Sequence, residues 1–464
     1  MEDIISRLYQ CISIPTIYTL LNPILTTFFI LFYCLNWGDH PGKVPNGATP
    51  STVLSQNPNM FDFHITCNDN ASPACSAMDT YNRAGQIISD NLILNTKIIV
   101  EITVERRPET FWGATYPAKV FNNLDDIRRY FPTALIKQVQ PGFPPTGTDI
   151  FITINSSRDP DTYYPGTGQI QANQHDFLEL VLHELQHGLG FETVWYQLQG
   201  NDLFPDFDYT LDNNGVVTFQ SFKENIFDYF LVVHPIGRGV ERTTPYVQAL
   251  NTMAGPFGKT YNNMGDFYNG VIQQQQQQGK SYTKSMLSMA TLPYRMSFMA
   301  NDGNDPIALE TTYNPFKLGS SISHFAKDVY STTSDFLLIS ESQAGKTLED
   351  KVAAYGNDPG EGMGPDLRSL LATMGYELRI PGSPPVKSSN KITTNNSTDK
   401  SPYSTKELRW EIWPRGITIS DAIEIEKLWC GLLFQEDSIT DYYSKIKRYN
   451  DNVNLRKASR KRIY

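Results

Sequence analysis

The residues with the clearest chemistry lie in the segment 176–191, DFLELVLHELQHGLGF, where His183, Glu184 and His187 form the pattern H-E-x-x-H. Residues four apart lie on the same face of an α-helix, so these two imidazoles can reach one metal ion. Glu184 stands beside them without being a ligand, where a general base for a water molecule at the metal must lie. The spacing therefore predicts a catalytic metal centre with two histidine ligands and one glutamate base.

The same segment predicts the helix that positions these residues. Asp176 is a candidate N-cap with Glu179 three residues later, and the apolar residues that follow lie on more than one side, which indicates a buried helix. Gly188 and Gly190 predict an abrupt end and a turn, because glycine accepts positive φ without steric cost. The alternative is a buried helix whose histidines only hydrogen-bond to neighbours, but the chain has only 7 histidines and the pattern is therefore rare by chance.

A third ligand has to come from elsewhere, since a catalytic zinc ion takes three protein ligands and one water. The compact form H-E-x-x-H-x-x-G-x-x-H requires histidine at position 193, where this chain has Thr193. One candidate is His324 in GSSISHF, whose small residues let the backbone approach a metal. Another is Glu224, which forms E-x-x-x-D with Asp228 and would replace the imidazole by a carboxylate. The other histidines are less suited by position: His40, His64, His175 and His234.

The motif HELQHGLGF resembles the active-site helix of metzincin zinc peptidases, and the chain beyond it resembles their leishmanolysin-related branch, in which a long insertion precedes the third histidine. The resemblance implies that His324 is the third ligand and that SDFLLIS, residues 334–340, forms the turn below the metal. Leu338 stands where that family has methionine. It also implies Zn²⁺ as cofactor and a two-lobed α+β fold, with a mixed sheet and the active-site helix in the N-terminal lobe.

The expected function is that of a secreted or surface zinc endopeptidase, which hydrolyses a peptide or protein substrate. Zn²⁺ held by His183, His187 and His324 activates a water molecule, and Glu184 acts as the general base. The alternative is a catalytically inactive secreted or cell-surface binding protein on the same fold, which the replacement at Leu338 leaves open. A zinc hydrolase that cleaves a non-peptide amide would share every ligand.

Composition and charge exclude other classes. Hydrophobic residues make up 40% and aromatic residues 12% of the 464, which is typical of a globular protein and not of a disordered one. The net charge is −10, although the last 20 residues carry eight Lys or Arg against one acid; the other 444 residues therefore carry −17 (−10 − 7). Such an acidic body is unsuited to nucleic acid. The sequence does not indicate an oligomeric state.

The apolar run from residue 17 to residue 35 predicts a signal peptide or a membrane anchor, so the chain is expected to be secreted or, alternatively, anchored by a single membrane span. The remaining boundaries follow from composition and periodicity. The predicted order is a signal peptide or anchor at 1–37, a lead-in at 38–60, an N-terminal catalytic lobe at 61–202, a C-terminal catalytic lobe at 203–380, a linker at 381–405 and a helical extension with a basic tail at 406–464.

Local patterns predict several further elements. Apolar spacing of three and four predicts helices at 78–92, 224–233, 364–376 and 418–434, and strict alternation predicts strands at 97–104 and 149–155. The glutamine run at 273–278 predicts a flexible surface insertion. Cys67 and Cys75 bracket a short loop and are expected to form a disulfide in an oxidising compartment. Candidate glycosylation sequons lie at Asn70, Asn155, Asn395 and Asn396.

Overall fold

The computed structural model describes residues 52–54 and 60–379, apart from gaps at 109–110, 123–128, 141–142, 144–146, 159–162, 167, 198–201, 213, 236, 238, 301–304 and 357. The helices are α1 Met78–Asn91, α2 Thr133–Val139, α3 Phe177–Gly188, α4 Ile226–Tyr229, α5 Thr244–Ala254, α6 Met264–Gln277, α7 Tyr282–Ala290, α8 Lys327–Tyr330, α9 Leu348–Tyr355 and α10 Pro365–Met374, with 3-10 turns at Pro73–Ser76 and Phe336–Leu338. The strands are β1 Thr52–Leu54, β2 Phe61–Cys67, β3 Leu92–Ile93, β4 Ile98–Glu105, β5 Gly113–Pro117, β6 Lys119–Asn122, β7 Arg129–Pro132, β8 Ile150–Asn155, β9 Tyr163–Tyr164, β10 His175–Asp176, β11 Trp195–Gln197, β12 Leu203–Pro205, β13 Phe207–Leu211, β14 Val217–Phe222, β15 Leu231–Val233, β16 Glu241–Arg242, β17 Thr260–Tyr261, β18 Met296–Ala300, β19 Asp305–Ala308 and β20 Glu377–Leu378.

A five-stranded mixed sheet in the order β1-β2-β4-β8-β5 supports the helix that bears the H-E-x-x-H pattern. The three central strands are parallel, and both outer strands are antiparallel to their neighbours. Alternate residues of β4 and β8 are buried, and they pair in register, as in Ile102 opposite Ile152. These branched side chains form one apolar face of the sheet. Helices α1 and α3 pack together through Tyr81 and Phe177, whose ring centroids lie 5.6 Å apart.

Gly188 brings α3 unusually close to this sheet. A Cβ atom at that position would lie 2.3 Å from Cγ2 of Ile150, far inside van der Waals contact. The glycine that follows the second histidine is therefore required by packing between helix and sheet, and not only by the end of the helix. This contact fixes the height of α3 above β8.

The second half of the chain adds two smaller sheets, β13-β14-β17 and β16-β15-β18-β19. Their apolar faces belong to the same hydrophobic core as the first sheet. The residues of this core run from Phe61 to Tyr376. A cluster of aromatic rings packs against β14, with centroids of Phe207 and Phe267 4.4 Å apart and those of Phe219 and Phe267 5.3 Å apart. The architecture is thus α+β, as the sequence predicted at that level. No helix among the described residues has the length and apolar character needed to cross a bilayer.

Several local predictions are confirmed. The helix expected at 78–92 is α1, the strands expected at 97–104 and 149–155 are β4 and β8, and the helix expected at 364–376 is α10. Cys67 and Cys75 form the predicted disulfide, with Cα atoms 5.8 Å apart. The predictions for residues 1–37, His40, the linker 381–405 and the extension 406–464, with Asn395, Asn396 and the helix at 418–434, lie outside the described residues.

Three local predictions are wrong in whole or in part. Residues 224–233 do not form one helix, because α4 spans only Ile226–Tyr229 and β15 follows directly. The glutamine run lies mostly at the surface, with four of its six residues exposed, but it forms the end of α6 and is not a flexible insertion. Gln275 is buried against Thr283, with Nε2 3.1 Å from Oγ1. The sequon at Asn155 is also not available, because Asn155 is 0% exposed and its Nδ2 donates to the Phe111 carbonyl. In each case tertiary contacts overrode a local pattern.

Candidate metal centre

Helix α3 is anchored at its first turn by two acidic side chains. Asp176 is the N-cap, with Oδ1 accepting from the Leu178 N–H at 2.9 Å, as its position in the sequence predicted. Its Oδ2 accepts from the Leu348 N–H at 2.6 Å, so the same carboxylate caps α9. Glu179 forms a buried ion pair with Lys351, also from α9. These contacts fix the position of the helix that carries His183 and His187 relative to the second half of the chain.

The structure brings His183, His187 and His324 together. The Nε2 atom of His183 lies 3.1 Å from Nε2 of His187 and 3.1 Å from Nε2 of His324. The three ligand atoms fall within 4.8 Å of one another, and no other group of three His, Cys, Asp or Glu side chains that could hold a metal occurs among the described residues. Nitrogens that share a tetrahedral zinc ion at 2.0 to 2.1 Å stand about 3.3 Å apart. The separation therefore fits a single ion of this size.

The other ring nitrogen of each histidine faces a backbone carbonyl. Nδ1 of His183 lies 2.7 Å from the Leu337 oxygen, Nδ1 of His187 lies 2.7 Å from the Phe191 oxygen, and Nδ1 of His324 lies 3.1 Å from the Ser320 oxygen. A carbonyl oxygen only accepts, so Nδ1 must carry the proton in each ring. Each Nε2 is then left with its lone pair directed at the other two. Three converging lone pairs repel one another, and a cation at their centre removes that repulsion.

Burial makes these imidazoles neutral at physiological pH. It lowers the pKa of His183 to about 3, with a further contribution from His187, and lowers the pKa of His187 to about 4. The pKa of His324 falls well below its ordinary value for the same reason, and the two neighbouring rings add to the effect. A neutral imidazole is the form that binds a metal. The site is thus in its ligand form without any change of protonation.

The 3-10 turn Phe336–Leu338 connects two of the three histidines. The Leu337 carbonyl accepts from His183, and the Leu338 carbonyl accepts from the Phe325 N–H at 2.8 Å, one residue after His324. Leu338 is 0% exposed and lies in the core. This turn therefore sets the positions of His183 and His324 relative to each other through main-chain atoms, and a leucine fills its apolar interior.

Gly190 and Phe191 form a turn directly after the end of α3. Gly190 has φ of +115°, a conformation that L side chains rarely adopt, and its N–H donates to the His187 carbonyl at 2.9 Å. This reversal directs the Phe191 carbonyl back to Nδ1 of His187. The Phe191 ring packs against Phe227 and Phe325, with centroid distances of 5.0 and 5.3 Å. The turn thus orients His187 and contacts the segment that carries His324.

Glu184 is held by strand β5 at the edge of the sheet. Its Oε2 accepts from the Thr115 hydroxyl at 2.7 Å, and a Cβ atom on Gly113 would lie 2.6 Å from its Oε1. Glu184 is 5% exposed, and this burial raises its pKa to about 7, although the Thr115 hydroxyl acts in the opposite direction. A cation on the adjacent histidines would stabilise its ionised form. The carboxylate is thus buried and is held by the Thr115 hydroxyl and the close approach of Gly113.

Glu224 lies apart from this cluster. Its carboxylate lies 3.5 Å from Nη2 of Arg129 and accepts from the Thr244 hydroxyl at 2.5 Å. Its pattern partner Asp228 is fully buried and accepts from Thr193 and Val194. The structure therefore places His324, and not Glu224, beside the two helical histidines.

The other described histidines have ordinary surroundings. His234 lies 3.0 Å from the Ser297 hydroxyl through Nε2, and His175 packs on Trp112 with ring centroids 4.4 Å apart. His64 lies near Asp62, with an N–O distance of 3.8 Å. None of these three belongs to the cluster that could hold a metal among the described residues.

Sequence reasoning missed Gly113 and Thr115. Their segment, GATYP, does not alternate clearly between apolar and polar residues, and β5 was therefore not predicted. The signal that could have indicated these two residues is a glycine followed two residues later by a hydroxyl residue. Residues two apart in a strand lie on the same face of the sheet. Without the sheet order, nothing connects that pair to Glu184.

Comparison with known proteins places the chain in a family. The chain is 28% identical over 400 residues to the uncharacterized protein PB7E8.01 of Schizosaccharomyces pombe, an alignment that covers 75% of this chain and 68% of that protein. No solved structure matches the chain. A family model described as SPBPB7E8-like matches residues 38–396, which include all three histidines and Glu184. The chain therefore belongs to the SPBPB7E8-like family.

Proposed function

We propose that this protein is a secreted or cell-surface zinc endopeptidase of the metzincin type, with a two-lobed catalytic domain. The observation that carries the proposal is the convergence of three Nε2 lone pairs, with each Nδ1 proton committed to a carbonyl oxygen. Such a set of three imidazoles, with a buried carboxylate adjacent to it, matches the ligands and the base of a hydrolytic zinc site. Secretion is supported by the disulfide Cys67–Cys75.

Each residue has a defined role in this proposal. His183, His187 and His324 would hold Zn²⁺, which would polarise the scissile carbonyl and lower the pKa of the attacking water. Glu184 accepts a proton from that water and transfers it to the leaving amine. Thr115 keeps the Glu184 carboxylate in place through the hydrogen bond to Oε2. The histidines are oriented by main-chain carbonyls, so their positions do not depend on mobile side chains.

Strand β5 supports a peptide as the substrate. It is the outermost strand of the five-stranded sheet and contacts Glu184 through Gly113 and Thr115. An extended peptide can add to the edge of a sheet by main-chain hydrogen bonds, largely independently of its sequence. A chain bound in this way would run past the general base. A peptide substrate therefore suits the site better than a small amide.

The test compares the wild-type protein with Glu184→Gln, which preserves shape and removes the base. We expect wild-type protein to contain one zinc per chain and to cleave a mixture of peptides, with cleavage sites identified by mass spectrometry. A chelator should abolish cleavage, and added Zn²⁺ should restore it. The Glu184→Gln variant should keep its zinc and lose cleavage by about 10² or more.

Two results would argue against the proposal. Stoichiometric zinc without cleavage of any peptide would favour the inactive binding protein. Cleavage by Glu184→Gln at the wild-type rate would remove Glu184 from the mechanism, even if zinc were present.

A further inference from the structure

We propose that Asp228 and Thr193 are positioning residues for the metal centre. They act indirectly, by holding the turn after α3 and by contacting the segment before His324. Asp228 lies in α4 and is 0% exposed. This inference rests on the proposed zinc site and adds to it a pair of residues that touch neither the metal nor the substrate.

The contacts of Asp228 are directed at the backbone that follows the turn. Its Oδ1 accepts from the Thr193 hydroxyl at 2.6 Å, and its Oδ2 accepts from the Val194 N–H at 2.9 Å. The Thr193 oxygen in turn accepts from the Trp195 N–H at 3.1 Å. Residues 191–194 have no helix or strand of their own. Side-chain hydrogen bonds therefore replace the ladder that would otherwise hold this backbone.

A second residue of the same region, Asn225, holds the preceding peptide. Its Nδ2 donates to the Glu192 carbonyl at 2.7 Å, while its Oδ1 caps α4 by accepting from the Asp228 N–H at 2.7 Å. Residues 192 to 194 are thus fixed from one short helix. The residue just before them, Phe191, supplies the carbonyl that accepts from Nδ1 of His187. Displacement of this segment would move the group that orients His187.

The same segment also reaches the third ligand. The Thr193 N–H lies 3.5 Å from the Ser323 hydroxyl, and Ser323 immediately precedes His324. Phe191 contacts Phe325 on the other side of His324. Thr193 occupies the position at which the compact zinc motif places its third histidine, but here its side chain binds Asp228. We therefore infer that this position has a supporting function, in which it couples the helical ligand to the distant one.

The most direct variant is Thr193→Val, which removes the hydroxyl and keeps the shape. Groups that hydrogen-bond directly to metal ligands contribute about 10-fold to 100-fold to metal affinity. Thr193 acts one step further out, through the backbone, so we expect the dissociation constant for Zn²⁺ to rise by about 3-fold to 10-fold. Thr193→Ser retains the hydroxyl and should bind Zn²⁺ as the wild-type protein does. Competition with a chromophoric chelator measures the constant, and the visible spectrum of the Co²⁺-loaded protein reports ligand geometry independently of activity.

Thr283→Val provides a matched control. Its hydroxyl donates to a buried carboxylate, that of Asp202, at the same distance of 2.6 Å, and Asp202 does not belong to the group of metal-binding histidines. Both valine variants should lower the thermal midpoint by similar amounts, because each leaves a buried carboxylate with one acceptor unsatisfied. Only Thr193→Val should change the Zn²⁺ constant and the Co²⁺ spectrum.

The outcomes separate this inference from the proposed function. If Thr193→Val and Asp228→Asn bind Zn²⁺ with the wild-type constant and an unchanged Co²⁺ spectrum, the positioning role is wrong and the zinc site stands. If Thr283→Val weakens Zn²⁺ binding equally, the effect is one of general stability, and the inference is again wrong. If the wild-type protein itself binds no Zn²⁺ or Co²⁺, the metal centre and the positioning role both fall.

Discussion

The replacement Gly113→Ala tests whether the position of Glu184 controls catalysis. The new Cβ atom would lie 2.6 Å from Oε1, 2.8 Å from Cδ and 2.9 Å from Cγ of Glu184. Ordinary contact begins at 3.4 Å, so the carboxylate must move by about 0.8 Å. Gly113 does not have a positive φ, and alanine therefore fits its backbone. The perturbation is confined to the space that the carboxylate occupies.

The expected effect follows from that displacement. A misplacement of about 1 Å in a reacting group can reduce a rate by about 10². We therefore expect kcat for a peptide substrate to fall by about 10², which corresponds to about 2.7 kcal/mol of transition-state stabilisation. Zinc content should remain at one per chain, because the three atoms nearest to the new Cβ all belong to Glu184 and none to a histidine. Metal analysis and steady-state kinetics on the same preparation measure both quantities.

Two further variants complete this test. Ala114→Val lies on the opposite face of β5 and should leave kcat unchanged, since successive side chains of a strand point to opposite faces. Thr115→Val removes the hydrogen bond to Glu184 and should lower kcat about tenfold, whereas Thr115→Ser should retain activity. Wild-type turnover by Gly113→Ala, with wild-type zinc content, would refute the idea that β5 positions the general base.

Two other predictions concern stability. Gly188→Ala should destabilise the fold by about 1 to 3 kcal/mol in urea unfolding, because its Cβ would lie 2.3 Å from Cγ2 of Ile150. Partial recovery of stability in the double variant with Ile150→Val would identify this contact as the cause. An unchanged unfolding midpoint in Gly188→Ala would contradict the prediction. Burial, with a smaller contribution from Arg295, lowers the pKa of His234 to about 4 in the folded state. In the unfolded chain the pKa of a histidine is about 6.5. Since the unfolded state binds more protons in that window, the contribution of neutral His234 is complete above pH 6.5 and is lost as the pH falls toward 4. Unfolding of the metal-free His234→Gln variant should therefore depend less on pH between 4 and 6.5 than that of the metal-free wild-type protein, and equal slopes would contradict this.

Local sequence was sufficient where one short pattern decided the structure. Helix α3, its N-cap Asp176 and the shared face of His183 and His187 follow from helical geometry alone. Strands β4 and β8 follow from simple alternation. In these segments the local preference and the tertiary environment agree, and the pattern could be interpreted without knowledge of the rest of the chain.

Local sequence was insufficient where burial came from distant residues. The glutamine run has no apolar face, yet Gln275 is buried because Thr283 supplies a partner for its amide. The segment 224–233 has helical spacing, but Leu231 to Val233 pair with β18 and form a strand instead. Pairing partners of this kind are not encoded within the segment itself.

The sequence by itself indicated two candidate ligands, His183 and His187, and the candidate general base Glu184, because these depend on positions within one turn of a helix. Only the tertiary structure decided between His324 and Glu224, since both stand far along the chain and only one is folded back beside α3. It also supplied the carbonyl groups that fix each imidazole and the strand that holds Glu184. The physical reason is that a metal site requires atoms placed within tenths of an ångström, and such placement arises from packing between elements that are remote in sequence.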